Sequence, residues 1–483
     1  MNDAEQLPIR TKIVATIGPA SRSPAVLRRL IDAGVNVFRL NFSHGTHEEH
    51  SAVLADIRAI SREMGRHVAV LQDLCGPKMR LGPIPGDLVE CPLGEEFTLV
   101  TERRSDDPHE LTCSYCDLPN DLKPGETVLF ADGTVAMEVI DVAAGRARLK
   151  VTLSGRLRSK QGLNLPGSNL AVKSLTDKDL QDLDWTARHG ADVEYVGLSF
   201  VRSAGDVAWL RRELDARKCT ARIVVKIEKP QAVQNLEAII AATDGVMVAR
   251  GDLGVEMDVQ RVPAIQKRVI GLCNSTHRPV ITATQMLQSM EHSSRPTRAE
   301  ASDVFNAVVD GTDAVMLSGE TAIGEFPVEA VATMRQICFE AEAYLEAGGR
   351  PPYVQAASLK GFVEPITEAA VDAAYLINER LNASVVVVAT ESGRTALALS
   401  NRRPTSTILA VTRTEQLARR LAVCWGVTAM VQPETAMVEQ ELSSAMEWAK
   451  SRRLVRSGDY VVLVRGQVPG EEPSRAVLTR QVS

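Results

Sequence analysis

The sequence predicts an α/β chain built on a (β/α)8 barrel, with a small β domain inserted into one barrel loop and an open α/β domain toward the C-terminus. Three observations predict it. Short apolar, β-branched runs alternate with amphipathic helical stretches eight times before residue 320. The interval 74–192 is far longer than one crossover helix needs. After Gly348-Gly349-Arg350-Pro351-Pro352 the strand–helix rhythm starts again.

The eight runs are KIVATIG (12–18), VNVFRLNF (35–42), HVAVLQD (67–73), VEYVGLSF (193–200), RIVVKIE (222–228), GVMVAR (245–250), PVITATQ (279–285) and AVMLSG (314–319). Their near-continuous apolar character suits parallel strands buried on both faces. Helical patterns such as SPAVLRRLIDAG, HEEHSAVLADIRAISREMG and AIQKRVIGLCNSTH lie between them. From Leu81 to Val172 the chain is rich in Gly, Pro and alternating patterns (EFTLVTER, ETVLFAD, RARLKVTLSG), the mark of a small antiparallel β barrel. Its attachment after the third strand puts it over the face where barrel sites form, as a lid. Beyond the linker, ASVVVVAT (383–390), STILAVT (406–412), GVTAMV (426–431) and DYVVLV (459–464) predict a largely parallel sheet. The expected division is 1–80 and 173–348 for the barrel, 81–172 for the lid and 349–483 for the C-terminal domain.

Composition narrows the function. The chain has 483 residues, 45% hydrophobic and only 4% aromatic, with net charge −6. A mildly acidic chain without a long Lys/Arg run is a poor nucleic-acid or membrane-surface binder, so an anionic substrate must be held by local positive charge. No apolar window spans a bilayer, and MNDAEQLPIRTKIV lacks the pattern of a signal peptide, so a cytoplasmic location is expected. The eight Cys are scattered; Cys113 and Cys116 form a lone CxxC, read as reduced thiols. His44, His47 and His50 are spaced by three in a polar segment, read as a solvated helix start rather than a metal site.

Chemistry shows where polar residues interrupt the C-terminal ends of the barrel runs: Arg39, Asn41 and Ser43, then Asp73, Lys226 with Glu228, Asp252, Thr282 with Thr284, and Ser318. Spacing by two aims strand side chains at one face. Glu228 and Asp252 are hard oxygen ligands for Mg²⁺ or Mn²⁺. Lys226 can neutralise charge on a transferring phosphoryl group or an enolate. The Gly251 and Asp252 N–H groups suit a substrate carboxylate at a helix start, and Arg39 and Arg80 are phosphate binders by type. There is no Walker loop, no dinucleotide fingerprint and no G-x-S-x-G elbow. These residues alone leave open a metal-dependent lyase or aldolase on a pyruvate- or oxaloacetate-like acid, and a non-enzymatic effector-sensing protein.

The segments TKIVATIGPAS (11–21), FRLNFSHG (38–45), GPKMRLG (76–82), GLNLPG (162–167), KIEKP (226–230), DGVMVARGDLGVE (244–256), ATQMLQSM (283–290), RPTRAEASDVFNAVVDGTDAVMLSGETA (295–322) and ATESGRTA (389–396) together resemble the pyruvate kinase family, in family order and nearly end to end. The resemblance implies transfer of a phosphoryl group from phosphoenolpyruvate to ADP, giving pyruvate and ATP. It implies Mg²⁺ or Mn²⁺ as cofactor and a homotetramer. Residue by residue, Lys226 resembles the family's phosphoryl-transfer lysine, Glu228 and Asp252 its divalent-metal ligands, and Arg39, with Arg80 nearby, its phosphoryl contact. Gly251 and Asp252 match substrate-binding positions. Thr284 resembles the threonine on the enolate-protonation face, and Ser318 and Glu320 a polar relay behind it.

Asn41, Ser43 and Asp73 match positions that ligate a monovalent cation in many members. Here the acidic residue of the GPxxR segment is replaced by Lys78, with Leu74 upstream. That resembles the branch that needs no K⁺, and Lys78 is expected to fill the pocket. Gln161 and Ile323 stand where many members have Lys. In the C-terminal domain Thr390, Ser392, Gly393, Arg394 and Thr395 form a turn suited to an effector phosphate. Glu391 replaces a Lys common in fructose-bisphosphate-activated relatives, so a different phosphorylated effector, or none, is expected.

Overall fold

Eight parallel strands close on themselves into a barrel in the computed structural model, which describes residues 9–166, 173–348, 363–433, 438–465 and 476–483. The barrel strands are Lys12–Ile17, Val37–Asn41, Ala69–Asp73, Tyr195–Leu198, Arg222–Ile227, Gly245–Ala249, Val280–Ala283 and Ala314–Leu317. Each pairs with its predecessor in the chain, and the first closes on the eighth through Lys12 opposite Ala314. Every predicted barrel run holds a strand, one to two residues shorter at most ends.

Side-chain alternation divides each strand between two cores. Val14, Val37, Leu71, Tyr195, Val224, Met247, Ile281 and Met316 belong to one apolar group that fills the barrel interior and continues into the C-terminal domain. The alternate residues, such as Ile13, Phe38 and Val70, pack under the surrounding helices. Capping fixes where those helices begin. Thr46 and Glu49 form a reciprocal capping box for His47–Glu63, as Thr297 and Glu300 do for Arg298–Val309.

The third strand leads into the lid, a seven-stranded and mostly antiparallel sheet with a two-stranded ribbon beside it. Phe97, Leu99, Phe130 and Leu149 anchor its separate core. Its sheet reaches back to the short strand Met79–Arg80, which pairs with Gly162–Asn164. The lid turn 131–133 lies against the helix Arg250–Glu256: a Cβ on Gly133 would sit 3.9 Å from Val255 Cγ1. The lid's return at 167–172 and the linker at 349–352 lie outside the described residues.

The C-terminal sheet runs in the order Val427–Val431, Thr407–Thr412, Val385–Ala389, Tyr460–Arg465, Ala476–Gln481. The first four strands are the predicted parallel ones. The last is an antiparallel edge strand that the sequence reading omits, because its half-exposed and exposed residues carry no apolar pattern. This domain packs on the N-terminal ends of the barrel strands. Lys12 Nζ donates to the Val427 carbonyl at 2.7 Å, Tyr195 Oη to that of Arg420 at 2.6 Å, and Arg419 Nε to Glu194 Oε1 at 2.7 Å.

Candidate active site

The interior parity that gives the barrel its apolar core also builds the site. Two residues beyond Val14, Val37, Leu71 and Val224 come Thr16, Arg39, Asp73 and Lys226, so the layer above the apolar one is polar. Arg39 places Nε and Nη2 on Asp73 Oδ2, at 2.8 and 2.6 Å, and Nη1 on Thr16 Oγ1 at 3.0 Å. Lys226 Nζ lies 2.8 Å from Glu228 Oε1 and 3.5 Å from Asp73 Oδ2, and donates to Ser199 Oγ at 2.9 Å. The Ser199 hydroxyl in turn donates a hydrogen bond to the Leu74 carbonyl at 2.8 Å. Gly197 keeps this layer open: a Cβ there would come within 2.9 Å of Asp73 Oδ1.

The charges are mutually dependent. Burial works against the ammonium of Lys226, but Asp73, Glu228 and Asp252 outweigh it and hold the group well above its ordinary value. Burial likewise works against the Asp73 carboxylate, and Lys226 and Arg39 outweigh it, so Asp73 stays below its usual range. Burial pushes the Glu228 carboxyl up to about 7; Lys226 opposes the rise and the like charge of Asp252 adds to it.

Glu228 and Asp252 follow neighbouring strands. Glu228 is fully buried, its Oε2 accepting the Phe200 N–H at 2.7 Å. Asp252 is a quarter exposed. Two oxygen donors that repel one another at the barrel mouth fit a hard divalent cation, which relieves the repulsion. Among the described residues no denser cluster of His, Cys, Asp or Glu offers a metal site. His47 pairs with Asp182 and His50 with the His44 carbonyl, and the Cys113 and Cys116 thiols face backbone carbonyls.

Thr284 lies just past the seventh strand at φ +69, with Gln285 at φ +52. A β-branched residue in the left-handed region is strained, and its surroundings hold it there. Its Oγ1 accepts the Gly251 N–H at 2.7 Å and donates to the Ala283 carbonyl at 2.6 Å. Arg250 clamps the same turn: Nε reaches the Ala283 carbonyl, Nη2 the Thr284 carbonyl at 2.8 Å, and Nη1 Asp303 Oδ1 at 2.7 Å. Thr282, by contrast, points into the barrel wall and bonds Thr312, because alternation stops where the strand does. Behind Thr284, buried Glu320 accepts the N–H groups of Ser318 at 2.7 Å and Leu287 at 3.0 Å, and the Ser318 hydroxyl is buried without a hydrogen-bond partner.

Burial, together with the charges of Arg80, Arg39 and Lys78, holds the His44 imidazole below its ordinary value. Arg80 Nη1 rests on the Lys160 carbonyl at 3.2 Å. Lys78 departs from expectation. It stands on the segment rising into the lid, beside the helix Arg250–Glu256, and its Nζ lies 3.6 Å from Asp252 Oδ1. Asp73 is met by Arg39 and Lys226 instead, Asn41 Oδ1 accepts the Ser43 N–H, and Leu74 is buried in the core beside the fourth strand.

Two family models match the chain. One, described as pyruvate kinase, barrel domain, covers residues 9–331; the other, pyruvate kinase, alpha/beta domain, covers 368–476. The pyruvate kinase of Staphylococcus saprophyticus is 40% identical over 470 residues, spanning 96% of this chain and 78% of that protein. The chain belongs to the pyruvate kinase family. The pyruvate kinase of Geobacillus stearothermophilus is 42% identical over 468 residues, covering 96% of this chain and 79% of its own length. A crystal structure of a pyruvate kinase from Cryptosporidium parvum superposes with a TM-score of 0.89 at 34% identity, covering 99% of this chain and 97% of that one.

Sequence reasoning missed four residues of this pyruvate kinase site: Thr16, Ser199, Phe200 and Arg250. Parity carried upward from Val14 and Tyr195 signals the first two; the others act through backbone geometry. In the C-terminal domain, the turn after Val385–Ala389 is braced from inside. Thr390 Oγ1 accepts the Gly393 N–H at 3.0 Å, Ser392 Oγ faces the Arg394 N–H, and the barrel's Arg222 bonds the Ser392 carbonyl. Thr395 is buried in the short helix that follows. Glu391 faces Arg413 at 4.0 Å.

Proposed function

We propose that this chain, as a pyruvate kinase, moves the phosphoryl group of phosphoenolpyruvate to ADP, with Lys226, Arg39 and Thr284 as the groups that act on the reacting atoms. The observation that carries the reading is the Lys226 ammonium, fixed between Asp73, Ser199 and Glu228 and aimed at the barrel mouth. The phosphorus–oxygen bond to the enol oxygen breaks, a terminal oxygen of ADP takes the phosphoryl group, and the enolate left behind gains a proton at its methylene carbon to become pyruvate. Arg39 supplies a planar donor fork for phosphoryl oxygens, and its hold on Asp73 and Thr16 fixes that fork in advance. Lys226 stabilises charge that grows on the transferring group, in a layer with little water. Asp252 presents its N–H toward the substrate carboxylate, on a turn that the Gly251 N–H fixes through Thr284 Oγ1. Thr284, with Ser318 and Glu320 behind it, delivers or relays the proton.

Glu228 and Asp252 would hold Mg²⁺ or Mn²⁺, and the ion would supply positive charge to offset the negative charge of the transferring group. We further propose that Lys78 removes the need for K⁺. The turn at Thr390, Ser392, Gly393, Arg394 and Thr395 takes a phosphorylated effector other than fructose 1,6-bisphosphate, or none, and the active form is a cytoplasmic homotetramer. No helix among the described residues is long and apolar enough to cross a membrane. The decisive experiment supplies phosphoenolpyruvate, ADP and Mg²⁺ or Mn²⁺ to purified protein and measures pyruvate and ATP. Folded protein that makes neither, across metals and effectors, overturns the proposal.

A further inference from the structure

One carboxylate gathers three parts of this site. Glu256 ends the helix Arg250–Glu256, whose first turn carries Asp252. It is 3% exposed, and its Oε1 receives Lys229 Nζ at 2.6 Å and Asn164 Nδ2 at 2.9 Å. Asn164, itself 4% exposed, belongs to the lid strand Gly162–Asn164, and Lys229 directly follows Glu228. So the lid and the loops after the fifth and sixth barrel strands meet on a single oxygen atom.

The contact extends to Glu228 by a second route. The Lys229 ammonium lies 5.4 Å from the centre of the Phe200 ring. Phe200 is held at φ +57, an unfavourable conformation for a bulky residue, and from it sends its N–H to Glu228 Oε2. The ring also packs against the root of the lid: a Cβ on Gly76 would sit 2.9 Å from Phe200 Cδ2. A shift of the lid root therefore presses on the residue that orients Glu228. An open cleft bordered by Pro77, Met79, Leu163, Phe200 and Gln231 runs beside the contact, so Asn164 meets the barrel at a cleft edge and not inside a continuous packed wall.

We propose that Glu256 is a positioning residue that couples the lid to Glu228. Asn164 reports the lid's position to the carboxylate, and Lys229 and Phe200 pass it to the Glu228 side chain. The coupling is reciprocal by linkage: what fixes Glu228 also steadies the lid. The proposal rests on the reading of Glu228 as a metal ligand.

The test uses the full chain and Mn²⁺ alone, without nucleotide, and follows backbone hydrogen–deuterium exchange in the lid. Wild type should show slower exchange at Leu163, Asn164, Met79 and Arg80 when Mn²⁺ is added. Asn164→Ala, which keeps the ion pair, and Glu256→Gln, which keeps an acceptor for Asn164 but loses the charge, should bind Mn²⁺ in a direct titration yet lose the lid response. Both should lower kcat/KM for ADP about tenfold or more while melting within a few degrees of wild type. A lid response in Asn164→Ala equal to wild type overturns the coupling, even if Glu256→Gln fails to fold. Absence of Mn²⁺ binding to wild type overturns the metal-ligand reading on which it rests. A wild type that transfers no phosphoryl group while the lid response behaves as described sinks the assigned reaction alone.

Discussion

The side-chain oxygen of Thr284 accepts the N–H of Gly251 at 2.7 Å, joining the exit of the seventh barrel strand to the helix that follows the sixth. The bond sets a hydroxyl beside the backbone that presents Asp252, and Arg250 braces the turn from the far side. Thr284→Val keeps the β-branch and the backbone strain but removes the hydroxyl. Turnover should fall on the order of 10²–10³-fold, the scale of losing a positioned proton donor, with a smaller change in KM for phosphoenolpyruvate. Thr284→Ser should keep most activity. Steady-state kinetics on both variants decides it: a valine variant near wild-type rate removes Thr284 from the proton path.

Lys226 stands between three carboxylates, and its removal strips charge from a buried layer. Lys226→Met should cost about three decades in kcat, the scale of one preorganised charge-stabilising group, with a far smaller effect on KM. Circular dichroism and melting verify that the variant is folded. Turnover close to wild type contradicts the role.

The barrel was legible because its strands are buried on both faces and so carry unbroken apolar runs, and Lys226 with Glu228 was legible because their spacing keeps strand parity. Ser199 keeps the parity of Tyr195 as well, but a lone serine at a strand end also reads as an ordinary cap, so parity alone does not mark it as a site residue. Phe200 takes a left-handed backbone conformation that its side chain disfavours, so no local preference announces it; Thr284, named from the end of its run, reaches the site through the same kind of turn and not through strand parity. Lys78 was recognised as a charge reversal, but its direction depends on the path of the rising lid segment, which spacing does not encode. The edge strand Ala476–Gln481 escaped because half-exposed and exposed residues do not alternate in hydropathy.

Glu391 carries its negative charge at the mouth of the turn where a phosphate would sit, and Arg413 lies 4.0 Å away. Fructose 1,6-bisphosphate should therefore leave the rate nearly unchanged. Rates measured with single sugar phosphates and nucleotides test this. Strong saturable activation by that sugar, lost in Arg394→Ala, runs against it.

Lys12 lies on the interior face of the first strand, buried, with its ammonium on the Val427 carbonyl of the C-terminal domain. Burial lowers its pKa from 10.5 to about 8, against opposing effects of Cys424 and Glu342. The unfolded chain thus holds a proton that the folded chain releases between about pH 8 and 10.5. Stability from this group rises with pH across that window and is absent below it. Lys12→Met removes the dependence. Its melting temperature relative to wild type should be most favourable near pH 7 and should decline toward pH 10. A difference that stays flat with pH rejects the assignment.

Lys78 brings positive charge to the GPxxR segment, where the family resemblance leads one to expect an acid. Asp73, the carboxylate expected in the cation pocket, is already engaged by Arg39 at 2.6 Å and Lys226 at 3.5 Å, while Lys78 rests 3.6 Å from Asp252. The region thus carries three fixed cations. These three balance the carboxylates of Asp73, Glu228 and Asp252, so a further K⁺ finds no uncompensated charge there to hold it. Wild type should therefore run at full rate without K⁺. Lys78→Glu changes the local charge by two and frees Asp252, so it should create a K⁺ requirement and tighten the demand for divalent metal. The measurement is rate against K⁺ at constant ionic strength, with tetramethylammonium as the replacement ion. Strong K⁺ activation of wild type ends the argument, as does a Lys78→Glu variant that remains indifferent to K⁺ while folded and active.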